Sequence, residues 1–257
     1  MSGIVLLITI SARADDGDRE IALLSTARNA SVLLTVRYEF ARNFLEHGGS
    51  GIIVAPDTVL TCFHVAWGNP PGAYTVIRRD GKSFLGTLVA YERKYDLALL
   101  AVEGIGGKAL VVAEESPGVG QTIWVIGSPN KIPHVVTKGI LSKGNVTVLN
   151  GFADVNLSDV TILPGSSGSG VYTDDGKLSG LVLGIMGMQN VSSVFTILAR
   201  PEHITKFLAK RPKEDKIPVD KPLPVFNGPP PDILQHIFPE ALPMPFDPIA
   251  GKTTRED

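Results

Sequence analysis

The chain has 257 residues, of which 44% are hydrophobic and 19% are charged, so it holds enough apolar material to bury a sizeable core. The 24 lysines and arginines nearly balance the 26 aspartates and glutamates, and a net charge of −2 argues against nucleic acid or an anionic membrane as a partner. A single cysteine, Cys62, excludes an intramolecular disulfide bond and a cysteine-rich zinc site.

The N-terminus has two features of an export signal. Ile4–Ile10 is apolar and precedes Ala12-Arg13-Ala14, which has the A-x-A form of a signal-peptidase cleavage site. No basic residue precedes the apolar run, so a first strand or a disordered arm is the alternative. We favour export of the chain with residues 1–14 as a signal peptide, and a cytoplasmic location stays open. No other stretch of the sequence is long and apolar enough to span a membrane.

Short apolar runs follow, from residue 31 to residue 198. Turn signals separate them, and those at Pro56-Asp57, Asp80-Gly81 and Asp175-Gly176 predict hairpins. Helical spacing at Glu20–Ala27 precedes them, a polar loop is expected at Arg42–Gly49, and an amphipathic helix is expected from Pro201 to Lys210. The predicted strands are Ser31–Val36, Ile52–Val54, Val59–Thr61, Tyr74–Arg78, Ser83–Tyr91, Tyr95–Val102, Gly118–Gly127, Val135–Leu141, Val146–Leu149, Ala153–Leu157, Gly170–Tyr172, Leu181–Ile185 and Val194–Leu198. Strands recur at short spacing, and helices are expected only at the two ends of this region. This pattern predicts an all-β architecture, either a sandwich or a barrel, and a pair of barrels is one version of the latter.

From Arg211 onward the composition changes. Eleven of the 19 prolines lie between Pro212 and Pro248. Such density predicts extended chain without a core of its own over residues 212–257. A spacer, a ligand for a partner's aromatic groove and a strap across the protein's own cleft are all open interpretations of this tail.

Three residues in separate segments form a catalytic pattern. His64 follows an apolar strand, Asp96 stands alone at the head of another, and Ser167 lies in the Gly/Ser-rich turn Pro164–Gly170. A carboxylate at the head of an apolar strand costs several kcal/mol unless it is paired, and an imidazole is a suitable partner. The order His, Asp, Ser on an all-β background is that of chymotrypsin-fold peptidases. The Gly/Ser turn taken alone would favour a linker.

The α/β-hydrolase alternative fails on the same residues. Its G-x-S-x-G motif needs a second glycine where Ser169 stands, and its histidine must follow the serine. The alternation of strands and helices that such a sheet requires is also missing.

At residues 28–210 the chain resembles the trypsin-like serine peptidases of the HtrA/Deg type. The similar stretches are GSGIIVAPDTVLTCFHV, YDLALLAV, VGQTIWVIGSPN, VVTKGILS and SDVTILPGSSGSGVYTDDGKLSGLVLG. The resemblance implies two six-stranded antiparallel β-barrels with a cleft between them, a peptidase domain at residues 15–211 and a C-terminal helix before the tail. It does not extend to a PDZ domain after residue 210.

These residues define a chemistry as well as a fold. Ser167 would attack a peptide carbonyl, His64 would take its proton, and Asp96 would fix the imidazole tautomer. The backbone N–H groups of Gly165 and Ser167 would bind the oxyanion. We therefore expect a serine endopeptidase acting on protein or peptide substrates, with no cofactor and no metal. The alternative is a chymotrypsin-fold binding or assembly module with little turnover.

Four residues are expected at the substrate pocket because of the resemblance: Thr161, Ile162, Ser192 and Ser193. No acidic residue stands at Thr161, which argues against a preference for arginine or lysine and leaves small aliphatic and acidic side chains open.

Three further residues near the motifs receive structural interpretations. We interpret His134 as a histidine on a loop surface and Cys62 as a small buried hydrophobe. Ser166 stands where zymogen-type relatives have an aspartate that pairs with a freed N-terminus, so that activation route is not expected here.

Overall fold

The structure is a computed structural model that describes residues 22, 24–40, 43–66, 74–148, 152, 154–186 and 195–210. The predicted signal peptide at residues 1–14 and the proline-rich tail at 212–257 lie outside these residues, as do Ser192 and Ser193.

Six strands close the first barrel after a helix, α1, that covers residues 24–30. The strands are β1 (Ser31–Phe40), β2 (Asn43–Ala55), β3 (Thr58–Cys62), β4 (Tyr74–Ile77), β5 (Ser83–Glu92) and β6 (Leu97–Ala101). Their order around the barrel is β1-β2-β3-β6-β5-β4, and antiparallel pairing of β1 with β4 closes it. A short helix, α2 (Phe63–Ala66), follows β3.

Six more strands close the second barrel. They are β7 (Thr122–Gly127), β8 (Val135–Val146), β9 (Val155–Ser158), β10 (Gly170–Tyr172), β11 (Leu178–Met186) and β12 (Phe195–Ala199), and α3 (Pro201–Ala209) follows them. Their order is β10-β11-β12-β9-β8-β7, and antiparallel pairing of β10 with β7 closes the barrel. The expected pair of six-stranded antiparallel barrels with a C-terminal helix is therefore confirmed.

The interface between the barrels determines where the catalytic candidates lie. Every residue of β3 is buried, because β3 faces its own barrel core on one side and contacts β11 of the second barrel on the other. Apolar side chains on both faces of a strand suit burial on both sides. Since α2 follows β3 directly, His64 is carried to the boundary between the barrels.

The structure corrects two of the predicted elements, and it also moves the start of β7 from Gly118 to Thr122 and that of β11 from Leu181 to Leu178. The expected polar loop at Arg42–Gly49 is largely strand, because β1 and β2 stay paired from Ser31 opposite Ile52 to Phe40 opposite Asn43. The separate strand expected at Val146–Leu149 is instead the end of β8, which runs without a break to Val146. In both places backbone pairing continues through residues whose side chains give no apolar pattern, so periodicity alone missed it.

The C-terminal helix α3 packs across the molecule. Its Ile204 and Phe207 side chains are buried. The His203 ring stacks on Tyr95 with 3.7 Å between ring centroids, although Tyr95 belongs to the first barrel. The helix thus supports the turn that comes immediately before Asp96.

Candidate active site

His64 and Asp96 form a buried hydrogen-bonded pair. The Asp96 Oδ2 atom lies 2.5 Å from His64 Nδ1, and Asp96 Oδ1 accepts the backbone N–H of His64 at 2.8 Å. The Asp96 side chain is 3% exposed and the His64 side chain 10%. Both carboxylate oxygens therefore act on one residue, which fixes the position of the imidazole and leaves its Nε2 atom as the remaining ring nitrogen.

The backbone around Asp96 explains why the carboxylate meets the histidine. A 3₁₀ turn at Arg93–Tyr95 ends at Asp96, whose φ of +54° lies in the left-handed region that aspartate tolerates better than most residues. The Asp96 N–H donates to Arg93 O, and its carbonyl accepts the N–H of Phe63 at 3.0 Å. The start of β6 is thereby tied to the start of α2, so side chains of the two segments face each other.

Cys62 lies beside this pair and stays a thiol. It is fully buried, and its Sγ atom donates to Val182 O at 3.1 Å. Burial first, and then the charge of Asp96, raise the pKa of the thiol well above its ordinary value. Ligand atoms of Cys62, His64 and Asp96 lie within 4.8 Å of one another, but a protonated thiol is a poor metal ligand. The predicted role of Cys62 as a small buried hydrophobe agrees with this environment.

The Gly/Ser-rich turn lies between β9 and β10 and is held by both barrels. Ser167 O accepts the N–H of Ser50 in β2 at 2.8 Å, and Gly168 N–H donates to Val182 O in β11 at 2.8 Å. Gly168 has φ +86°, and a Cβ there would lie 2.0 Å from Ser50 O. A glycine is required at this position by the backbone conformation and by the close approach of β2.

The three serines of the turn differ in exposure and partners. Ser166 is buried, and its Oγ accepts the N–H of Leu163 at 3.3 Å. Ser169 is fully buried, and its Oγ has no hydrogen-bond partner among the described residues. Ser167 is half-buried, and its Oγ donates to Leu183 O at 3.3 Å. Ser167 is the serine of the three that a substrate could reach.

Two backbone N–H groups in the turn are available to a ligand. Among the residues that the structure describes, neither Gly165 N–H nor Ser167 N–H donates to a protein acceptor. The carbonyl of Pro164 accepts the N–H of Asn130 at 2.7 Å. The C=O and N–H of a trans peptide point in opposite directions, so the Gly165 N–H points away from Asn130. Such free, directed N–H groups can stabilise a developing oxyanion.

The expected substrate-pocket residues are partly visible. Thr161 is exposed, and Ile162 is half-buried and packs against the core of the second barrel. Ser192 and Ser193 lie outside the described residues, so their place in the pocket stays a prediction.

His134, which the sequence placed on a loop surface, is buried. It is 8% exposed with φ +59°, and its Nδ1 atom has no hydrogen-bond partner among the described residues. Burial, followed by the charges of Arg79 and Arg28, lowers the pKa of His134 below its ordinary value. The prediction was wrong for His134 alone, because residues 130–133 of this loop are exposed and the chain turns inward only at its end, where His134 precedes β8.

A cavity of about 890 Å³ lies elsewhere in the molecule. Its lining comes mainly from the connection between the barrels at Val111–Pro117 and the β10–β11 turn at Thr173–Lys177. None of the candidate catalytic residues lines it, so this cavity and the candidate chemistry are separate.

Sequence reasoning missed four residues that hold the catalytic turn or its contacts in place. Ser50 and Asn130 bind the turn backbone, Ser128 donates its N–H to the Ser50 hydroxyl, and Leu183 accepts the Ser167 hydroxyl. Of these, Ser50 alone has a local signal, since it is a lone hydroxyl between two glycines at the start of an apolar run. The others act through backbone groups, which no side-chain pattern reveals.

Two closed six-stranded barrels, with a buried His–Asp pair on the first and a serine turn at the second, define the chymotrypsin-fold class of peptidases. Residues 49–181 match the family of trypsin-like peptidase domains, and the chain belongs to that family.

Curated relatives of the chain include proteins named serine endoproteases. A "Probable periplasmic serine endoprotease DegP-like" of Halomonas elongata is 34% identical over 136 residues, which are 52% of this chain and 28% of that protein. "Serine endoprotease DegS" of Escherichia coli K12 is 30% identical over 138 residues, which are 52% of this chain and 38% of that protein. The match thus spans well under half the length of these relatives.

Solved structures show the same fold. The HtrA-type protease AlgW with a decapeptide has a TM-score of 0.64 and 22% identity, covering 74% of this chain and 67% of that chain. An inactive form of Rv3671c from M. tuberculosis H37Rv has a TM-score of 0.59 and 22% identity, covering 74% of this chain and 89% of that chain. At this level of identity the likeness concerns the fold.

Proposed function

We propose that the protein is a serine endopeptidase that hydrolyses peptide bonds through His64, Asp96 and Ser167 by way of an acyl-enzyme. The observation that carries the proposal is that both carboxylate oxygens of Asp96 form hydrogen bonds with His64, beside a serine turn whose Gly165 and Ser167 N–H groups have no acceptor among the described residues. Membership of the trypsin-like peptidase family supports the same reaction.

The reaction has two halves, of which the first forms the acyl-enzyme and the second hydrolyses it. Ser167 Oγ attacks the substrate carbonyl carbon while His64 Nε2 accepts the hydroxyl proton, and Asp96 stabilises the imidazolium that results. The tetrahedral intermediate collapses when the C–N bond breaks and His64 returns the proton to the leaving amine. Water then attacks the ester by the same route and releases the acid product and free Ser167.

The oxyanion of each intermediate is bound by the N–H groups of Gly165 and Ser167. Loss of one such donor costs about 3 kcal/mol of transition-state stabilisation in related chemistry. In the free protein the Ser167 hydroxyl donates weakly to Leu183 O at 3.3 Å. On substrate binding the hydroxyl exchanges this acceptor for His64 Nε2, which fits the loose catalytic hydrogen bonds usual in unliganded enzymes.

The substrates we propose are proteins or peptides, and Thr161, Ile162, Ser192 and Ser193 are the residues we propose for the pocket. The DegP-like relatives are named periplasmic, which supports export of this chain with residues 1–14 as the signal, 15–211 as the peptidase domain and 212–257 as a tail. Within the described residues, the helices are too short or too polar to cross a membrane.

A fluorophosphonate probe tests the proposal, because it reacts with an activated serine in a formed oxyanion hole. We expect labelling of the wild-type chain and complete loss in Ser167→Ala and His64→Ala. Ser169→Ala is the matched control, since it removes a buried hydroxyl of the same turn that has no partner among the described residues. Labelling that persists in Ser167→Ala would refute the assignment of the nucleophile. A wild-type chain that stays unlabelled after removal of residues 212–257 would favour a binding module instead.

A further inference from the structure

Ser50 contacts the catalytic turn through both its backbone N–H and its side-chain hydroxyl. It lies in β2 of the first barrel and is fully buried. Its N–H donates to Ser167 O at 2.8 Å, and its carbonyl accepts the hydroxyl of Thr61 at 2.7 Å. The side chain adds two more hydrogen bonds, and these are the ones that bear on catalysis.

The Ser50 hydroxyl joins two loops of the second barrel. Its Oγ donates to Gly165 O at 2.8 Å and accepts the N–H of Ser128 at 2.8 Å. Ser128 begins the loop that follows β7, and Gly165 lies in the catalytic turn. A single oxygen in the first barrel therefore fixes the separation of these two backbone segments.

Both peptide groups that flank Gly165 depend on this connection. The bond to Gly165 O fixes the peptide between Gly165 and Ser166 directly. Two residues after Ser128, the N–H of Asn130 donates to Pro164 O at 2.7 Å and fixes the peptide between Pro164 and Gly165. That second peptide carries the Gly165 N–H, which points opposite to Pro164 O.

Glycine at position 165 makes this restraint necessary. Gly165 has φ +90°, a conformation in which its lack of a Cβ leaves the flanking peptide planes easy to rotate. The turn is closed by the Ser166 N–H, which donates to Leu163 O at 3.0 Å. This bond is compatible with either orientation of the peptide between Pro164 and Gly165, as in turns of types I and II, and a rotation of that peptide would exchange the position of its N–H for that of its carbonyl oxygen. A restraint from outside the turn is therefore needed to select one orientation.

We propose that Ser50 is a positioning residue whose hydroxyl holds the Gly165 N–H in the orientation that binds the oxyanion. The proposal rests on the proposed serine peptidase function. Ser50 does not touch the substrate or the reacting atoms, and it acts through Ser128, Asn130 and Gly165.

Removing the hydroxyl has a defined consequence. Ser50→Ala leaves Ser128 N–H and Gly165 O without their partner in a buried place, so each peptide reorients to find another. Acylation, which needs the oxyanion donor, is expected to slow by about 10- to 100-fold, as for a misplaced catalytic donor. Initial non-covalent binding of the probe does not use the oxyanion donor, so its affinity should stay within about twofold of the wild-type value.

The experiment measures fluorophosphonate labelling of the full chain at several probe concentrations, which separates the maximal labelling rate from the half-saturating concentration. Ser50→Ala is compared with Ser31→Ala, a matched control because Ser31 is equally buried in the same barrel and its Oγ has no partner among the described residues. Ser50→Thr keeps the hydroxyl and is expected to restore most of the rate. The pH profile of labelling is recorded for each variant, together with the melting temperature.

The expected result is a lower maximal rate in Ser50→Ala, with an unchanged half-saturating concentration and an unchanged midpoint of the pH profile, because the His64–Asp96 pair is left intact. Equal rates in Ser50→Ala and Ser31→Ala, at melting temperatures showing both folded, would overturn the inference while leaving the peptidase function in place. A shifted pH midpoint would also overturn it, by indicating general loosening of the site. If Ser50→Thr fails to fold, the comparison of the two alanine variants decides. An unlabelled wild-type chain refutes the proposed function itself, and the role of Ser50 with it.

Discussion

At the scale of residues, two buried ionisable side chains, Asp96 and His134, have opposite surroundings. Asp96 is buried and gives both of its oxygens to His64, which matches the chemistry expected of a charge in that place. His134 is buried as well, yet its Nδ1 atom has no partner among the described residues and the nearby charges of Arg79 and Arg28 are positive. One buried group has hydrogen-bond partners for both of its oxygens, and the other has a lowered pKa beside positive charges.

The neutral state of His134 predicts a loss of stability in mild acid. Its pKa in the folded chain is lowered from 6.5, so below about pH 6.5 the unfolded chain binds the proton first. The contribution of His134 to the free energy of unfolding is therefore complete above this pH and is lost as the pH falls further. Urea unfolding at pH 7.5 and at pH 5.0 measures the loss, which we expect to be smaller in His134→Gln. An equal loss in both proteins would contradict the prediction.

At the scale of elements, the catalytic turn requires glycine for a different physical reason than an ordinary hairpin turn does. Gly168 and Gly81 have nearly the same backbone conformation, with φ of +86° and +80°. A Cβ at Gly168 would lie 2.0 Å from Ser50 O and 2.6 Å from Thr61 Oγ1, whereas a Cβ at Gly81 would have no atom within 4 Å. The two positions separate the cost of a left-handed conformation from the cost of a clash.

Alanine at these two glycines should therefore have unequal effects. Gly81→Ala should lower the free energy of unfolding by about 1 kcal/mol, which is the cost of the left-handed backbone conformation alone. Gly168→Ala also forces β2 and the catalytic turn apart, and we expect a loss of at least about 3 kcal/mol. Chemical denaturation of both variants measures the difference, and fluorophosphonate labelling should be lost in Gly168→Ala alone. Similar losses of stability would show that the turn can move away from β2 at little cost.

The turns were also the elements that sequence predicted best. The hairpin signals at Pro56-Asp57, Asp80-Gly81 and Asp175-Gly176 each lie at an observed turn between paired strands, because glycine, proline and aspartate act locally. The polar half of β2 was missed because backbone pairing gives no side-chain pattern. Ser50 was missed as a contact of Gly165 because the two residues are 115 positions apart, and periodicity records nothing at that distance.

At the scale of the molecule, the candidate site exists because two barrels pack in one orientation. His64 and Asp96 come from the first barrel, and Ser167 comes from a turn of the second. Contacts of β1 with β7 and of β3 with β11 hold the barrels together, and one hydrophobic core contains buried residues from both. Strand spacing alone left a sandwich open, and the pair of barrels was expected from the family resemblance. Packing between barrels uses side chains scattered over the whole sequence, so a local pattern could not have specified it.

The closed packing of the barrels predicts where the folded unit ends. All strand pairs that close the barrels lie within residues 31–199, and α3 adds the buried Ile204 and Phe207 before ending at Ala209. A chain that stops after Lys210 should therefore unfold cooperatively at the melting temperature of the full chain and label with the fluorophosphonate probe at the same rate.

A matched truncation after Arg200 removes α3 as well. This truncation should lower the free energy of unfolding by about 1.5 to 3 kcal/mol for each large apolar side chain removed from the core. It also removes the stacking of His203 on Tyr95. We expect this shorter chain to melt at a much lower temperature or not to fold. Loss of stability already in the chain that stops after Lys210 would place part of the core in residues 211–257. Faster labelling of that chain at an unchanged melting temperature would indicate instead that the tail covers the cleft between the barrels.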